Sequence, residues 1–119
     1  MNTENTLELI RNEQLSSVEF VQDYLQLRFD GNTLTCYMWP SVVIGNKSYN
    51  INDNGYRDLL CEMIAHEVSE ILFKENEILM IYFDNGNGIR LNLIRNETNQ
   101  DIPEFAYFQS SGEDWLVLD

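Results

Sequence analysis

The chain has 119 residues, 44% hydrophobic and 12% aromatic, and its twenty acidic against seven basic side chains give a net charge of −13. That length and apolar share describe one packed domain, residues 1–119, rather than a disordered acidic tail. The charge argues against a nucleic-acid or anionic-membrane surface, each of which needs a basic stripe, and favours basic surfaces as partners.

Residues 4–15 carry Leu7, Ile10 and Arg11 at helical spacing with Thr6 as a plausible cap, so a short N-terminal helix is expected. From Val18 the texture turns to strand. Val18 and Phe20 share one phase, Leu25, Leu27 and Phe29 the other, and the slip near Gln22-Asp23 predicts a tight turn or bulge. Leu34 to Val43 is rich in strand formers, and Pro40 inside it calls for an edge or a bend. Residues 45–55 read as a loop. A helix is then expected from about Asp53 or Asn54, because Tyr56, Leu59, Leu60, Met63 and Ile64 form one apolar stripe. Three strands follow at Val68–Phe73, Ile78–Phe83 and Ile89–Ile94. Asp101–Gln109 reads as a loop or a short helical turn opened by Pro103, and Trp115–Leu118 as a last strand. The expected fold is therefore α+β: a mostly antiparallel sheet of about six strands, one main amphipathic helix packed on it, and a short N-terminal helix.

One internal echo stands out. Leu25–Asn32 followed by Leu34-Thr35, and Leu79–Asn87 followed by Ile89-Arg90, are both apolar strands that end in Phe-Asp, turn through Gly and Asn, and restart. A duplicated binding loop and two ordinary hairpins both fit, and the turn chemistry alone favours the hairpins.

Catalytic chemistry finds little support. His66 is the single histidine, so the two-histidine zinc motif cannot form, and its expected role is structural, at the helix C-terminus. Cys61 would lie about 140° from His66 around a helix and form no dyad with it. Cys36 and Cys61 are expected to be buried, inert thiols. Asn50, Asn52, Asn54 and Gly55 imitate a calcium loop, but Asn replaces the first acid and Cys61 stands where the bidentate acid belongs. Gly86-Asn87-Gly88 lacks the helix and lysine of a phosphate loop. No cofactor, no metal and no enzymatic activity are expected. The N-terminus has no basic region followed by an apolar run, so the expected location is the cytoplasm, with both thiols reduced and without weight on the glycosylation sequons at Asn46 and Asn96.

The acids carry no charge excess over residues 31–60 and concentrate on either side. They serve solubility as readily as a partner. If they dock a basic protein, the candidate contacts are Glu62, Glu67, Glu70, Glu75, Glu77 and Asp84, while Asp23, Asp30 and Asp58 suit turns or caps. Tyr37, Trp39, Tyr107 and Trp115 are of the types that anchor interfaces, although their strand context favours half-buried packing.

The stretch Val18-Glu-Phe-Val-Gln-Asp-Tyr-Leu-Gln-Leu-Arg-Phe-Asp-Gly31, with Gly55-Tyr-Arg-Asp-Leu-Leu-Cys61 and Tyr82-Phe-Asp84, resembles a group of small bacterial α+β proteins of unassigned function. That resemblance spans residues 18–118 and brings no catalytic residue. By type the chain also resembles the immunity proteins of bacterial toxin–immunity systems, contact-dependent inhibition among them. The resemblance implies a cytoplasmic protein, monomeric or weakly dimeric, that binds a cognate basic, nuclease-like toxin domain and neither nucleic acid nor membrane. The alternative is a generic ligand-binding or accessory module.

Overall fold

The computed structural model describes residues 3–112 and 114–119. Among them a helix, α1 (Thr3–Leu7), runs into one 3-10 turn (Glu8–Ile10). Five strands follow: β1 (Ser17–Val21), β2 (Tyr24–Phe29), β3 (Asn32–Cys36), β4 (Ser41–Ile44) and β5 (Lys47–Tyr49). After helix α2 (Tyr56–Cys61) come five more, β6 (Val68–Lys74), β7 (Ile78–Phe83), β8 (Gly88–Asn92), β9 (Ala106–Gln109) and β10 (Trp115–Leu118).

These ten strands make two antiparallel sheets, ordered β1-β2-β3-β9-β10 and β5-β4-β8-β7-β6. The expected six-stranded α+β fold with one main amphipathic helix is therefore corrected to a two-sheet, mostly β architecture. The apolar stripe that suggested the main helix is real in its burial, since Tyr56, Leu60 and Met63 are fully enclosed. The helix itself has only six residues, Tyr56–Cys61. The chain then tightens, with Ile64 N–H bonding Cys61 C=O (3.1 Å) and His66 N–H bonding Met63 C=O (3.0 Å), and Ala65 takes a left-handed φ of 78°. A left-handed residue ends a helix, and Ile64 is left exposed.

Of the other local expectations, the turn at Gln22-Asp23 and the break at Pro40 hold, and those at Thr6, over residues 45–55 and after Asp101 change. Thr6 lies buried inside α1 rather than capping it. Gln22-Asp23 is a hairpin turn, with Val21 opposite Tyr24. Pro40 marks the point where the chain leaves one sheet for the other, between β3 and β4. The 45–55 loop contains β5, and the segment read as a loop after Asp101 contains β9.

The two halves of the chain repeat one plan: a short helix, a three-stranded meander and a hairpin. Each hairpin is exchanged, β4–β5 joining the second meander beside β8 and β9–β10 joining the first beside β3. A pseudo-twofold axis passes between Gln14 and Glu67, which face each other in an isolated bridge. The bonds around it are reciprocal. Asn12 N–H reaches Val68 C=O (2.8 Å) and Ala65 N–H reaches Leu15 C=O (2.8 Å); Leu15 N–H reaches His66 C=O (3.1 Å) and Val68 N–H reaches Glu13 C=O (2.9 Å). Asn12 shares the left-handed conformation of Ala65, at φ 69°. Ser16 and Ser69 hydroxyls donate to Arg28 and Tyr82 carbonyls at matching places in the two sheets.

Corresponding inner rows cross the sheets, Val18-Leu27-Leu34-Phe108-Leu116 in one and Ile71-Ile81-Ile89-Val42-Tyr49 in the other. They meet in one hydrophobic cluster, to which Leu7 and Ile10 contribute from the first half and Leu60 and Met63 from the second. The hairpin echo belongs to this repeat, with Phe29 and Phe83 buried at equivalent strand ends. Gly31 serves close approach: a Cβ there would meet that of Ser111 at 2.7 Å.

Two consequences are measurable. Because each sheet holds strands from both halves, a chain cut at a protease site placed in the exposed segment Asn52–Asn54 should still elute as one species of intact size. Its pieces should separate only in denaturant. An alanine at positive φ is strained relative to glycine by about 1 kcal/mol. Ala65→Gly should therefore raise the denaturation midpoint, contrary to the usual effect of an Ala-to-Gly change.

Candidate functional site

Side chains alternate across a strand, so the inner rows fix what faces outward. On β2 the inward Leu25, Leu27 and Phe29 leave Tyr24, Gln26 and Arg28 outside. Thr33 and Thr35 of β3, Tyr37 just beyond it, Tyr107 and Gln109 of β9 and Trp115 of β10 share that face. Eight of these residues line an open groove of about 470 Å³.

A ridge of four aromatic rings crosses this face from β2 to β10. Tyr24 and Tyr37 have ring centroids 6.0 Å apart at 49°, and Tyr107 and Trp115 stack at 6.3 Å and 30°. Trp115 is 62% exposed and Tyr37 37%. Of the aromatic residues singled out by type, Trp39 alone packs against the core, while Tyr37, Tyr107 and Trp115 lie on the face. Tyr24 belongs with them and went unnoticed. Its signal was present in the strict alternation of Tyr24-Leu25-Gln26-Leu27-Arg28-Phe29.

Polar groups fill the opposite end of the groove. Arg28 donates through Nε to Glu19 (2.7 Å) and through its terminal nitrogens to Thr33 and Gln26 (both 3.3 Å), and Gln26 donates to Thr35 (3.2 Å). The bond from Arg28 holds the Glu19 carboxyl below the usual carboxylate range, so the arginine's charge is answered within the fold. At the aromatic end the Tyr37 hydroxyl is pushed up, first by burial and then by the negative charge of Glu104 and by Tyr24 and Tyr107. Glu104 is held there because Phe105 C=O accepts the Tyr37 N–H at 2.8 Å.

The acidic candidates are exposed but do not gather on one face. Glu62 follows α2, Glu70 points outward from β6, and Glu75 and Glu77 occupy the β6–β7 turn. Glu67 and Asp84 lie at the other end of β6, about 26 Å from Glu75 at strand rise. Asp84 is also structural. His66 Nδ1 stands 2.7 Å from its Oδ1, the Glu67 amide donates to Oδ2 (3.2 Å), and its own amide donates to the Glu67 carbonyl (2.9 Å).

His66 thus follows the α2 turn at the mouth of β6, away from any helix C-terminus. Cys36 is buried, and burial alone pushes its thiol up to about 12. Cys61 is exposed, which corrects the expectation of two buried thiols. Ser41 donates to Asn50 Oδ1 at 2.6 Å and Asn50 N–H to Asp53 (2.8 Å), so the calcium-like loop satisfies its own groups. Among the described residues no group of three or more His, Cys, Asp and Glu could hold a metal, and no helix is long and apolar enough to cross a membrane. Gly86-Asn87-Gly88 is the β7–β8 turn and strand start.

No family model, curated protein or solved structure matches this chain.

The Asp84 pair has a pH signature. The His66 bond, then the Glu67 amide, lower the Asp84 carboxyl below its ordinary 3.8. A carboxyl lowered by folding stabilises fully above its unfolded value, and that contribution disappears as pH falls through the lowered folded value. Melting temperature should therefore drop with acid below about pH 4. Asp84→Asn should flatten that slope in part, since Glu8 and Glu19, held down by Arg11 and Arg28, keep the remainder.

Proposed function

We propose that this is a non-catalytic binding protein of the immunity type, which docks a basic, nuclease-like toxin domain in the cytoplasm through the outer face of the β1-β2-β3-β9-β10 sheet and keeps substrate away. The observation that carries the reading is the aromatic ridge Tyr24-Tyr37-Tyr107-Trp115, with Tyr37 and Trp115 exposed and Tyr24 and Tyr107 half-buried, on a chain of net charge −13. Monomeric folds seldom leave a row of Tyr and Trp uncovered unless it is a contact surface, and these residues dominate the affinity of protein interfaces. The negative charge elsewhere then serves encounter: long-range attraction raises the association rate of a basic partner and fades with salt. The hydrogen-bonded Arg28-Glu19-Gln26-Thr35 network supplies a polar rim that needs no rearrangement on docking.

The test is co-expression with the product of the neighbouring gene, followed by affinity measurement. A 1:1 complex is expected. Tyr37→Ala and Trp115→Ala should each weaken it by about 30-fold, roughly 2 kcal/mol, through faster dissociation. Reversing charge at Glu62, Glu67, Glu70, Glu75 and Glu77 should instead slow association and remove its salt dependence. Wild-type affinity in both aromatic variants, or no complex and no rescue of cells from the neighbour's toxicity, would overturn the reading.

A further inference from the structure

The aromatic end of the groove has a chemistry narrower than a general contact surface. Tyr24 of β2 and Tyr37, just beyond β3, have their rings 6.0 Å apart and tilted at 49°, and Tyr107 of β9 lines the same groove. The half-buried Glu104 is near enough for its charge to act on the Tyr37 hydroxyl, and the carbonyl of its neighbour Phe105 accepts the Tyr37 amide. Aromatic faces carry negative potential and attract cations within about 6 Å, guanidinium more often than ammonium because its plane can also stack. The fold already uses this contact for its own arginines: Arg95 lies 4.1 Å from the Phe105 ring centroid and Arg57 lies 5.6 Å from that of Phe20. Those two are the cation–ring contacts among the described residues, so the tyrosine cluster has no arginine of its own. Arg28, the cation in the groove, is bound to Glu19 and lies four residues along β2 from Tyr24, about 13 Å.

We infer that Tyr24, Tyr37 and Tyr107, backed by Glu104, form a socket for an arginine side chain presented by a protein partner. The charge complementarity is local as well as global. The socket pairs three π-faces with one carboxylate on a strongly acidic chain, and its polar contents can accept the guanidinium hydrogens that an ammonium would use less fully. The inference rests on the reading that this face docks a basic protein, and it names the side chain that the face selects.

The test uses the full chain and four probes: acetyl-tetraarginine amide, its citrulline and lysine counterparts, and cellopentaose as a ring-stacking sugar. Tyrosine ring and backbone NMR shifts are followed in each titration. The arginine peptide should shift Tyr24, Tyr37 and Tyr107 and bind at least tenfold tighter than the neutral citrulline peptide and several-fold tighter than tetralysine. Tyr37→Ala and Tyr107→Ala should each lose about tenfold, Glu104→Gln several-fold, and Tyr37→Phe little, which keeps the test valid if an alanine variant is perturbed. Equal affinity for arginine and lysine peptides with shifts spread over the acids, equal affinity for citrulline, or saturation of the tyrosines by the sugar would each overturn the socket. Two outcomes separate it from the broader proposal. Arginine binding at the tyrosines without a complex with the neighbouring gene product retains the socket and removes the immunity reading. A tight complex insensitive to Tyr24→Ala and Tyr107→Ala does the reverse.

Discussion

Four reciprocal backbone bonds between residues 12–15 and 65–68 hold the architecture together. They join the entry of β1 to the entry of β6, and so set how the two sheets meet. Everything outward follows from that join. Each meander begins at the axis and runs away from it, leaving the last strand of each with an open edge. The only strands free to fill that edge are the hairpin of the other half, since the tight β3–β4 passage at Pro40 and the long 93–105 passage both carry the chain across. Exchange of hairpins is then what satisfies the ladder groups of β3 and β8, which would otherwise be buried without partners. The left-handed residues Asn12 and Ala65 are the local cost of this arrangement. Both sit in the short passages that turn a helical segment into a strand, from Ile10 to Ser17 and from Cys61 to Val68.

That constraint explains which parts of the fold were legible. Hairpins announce themselves locally, through turn residues and alternation, and β2, β7 and β8 fell close to their expected positions. The helix did not, because a stripe at i, i+3, i+4 and i+7 is equally well produced by one and a half helical turns followed by a tightened turn. Met63 is buried in that turn, not on a helix. Strand β9 was hidden by its surroundings: Ala106–Gln109 follows a segment with proline and acids. The repeat was hidden for a different reason. Its halves agree in burial and backbone bonding at matching positions, Leu15 with Val68 and Ile10 with Met63, but seldom in residue identity, and only the Phe-Asp turns preserved both.

The same repeat locates the candidate site. Corresponding outward positions have parted company while the inner rows remained aliphatic and aromatic: Tyr24 stands where the other half has Ile78, Gln26 where it has Met80, Arg28 where it has Tyr82, and Thr35 where it has Arg90. A backbone used twice tolerates that divergence because outer faces bear no packing constraint between the sheets. One face became a hydrogen-bonded aromatic groove. The other carries Met80, only 5% exposed although it points outward, pressed near Gly88, where a Cβ would stand 2.6 Å from its Cε. The two outer faces thus differ in chemistry on a symmetric frame.

Charge and surface then divide the work. A net charge of −13 opposes compaction through self-repulsion, and this chain counters little of it internally, with three salt bridges among the described residues, all between partly exposed groups. Such pairs stabilise weakly. The folded state is carried by the shared apolar core instead, which leaves many of the acids without the structural tasks that Asp84, Glu8 and Glu19 perform and lets them lie at both ends of β6 without forming a patch. Dispersed acids generate a long-range field but no specific contact. A specific contact needs desolvated area and fixed geometry, and the rigid, strand-mounted rings of the aromatic groove provide both. On the proposed reading, field and groove would act at different stages of one encounter, the first setting how often a cationic surface arrives and the second how long it stays.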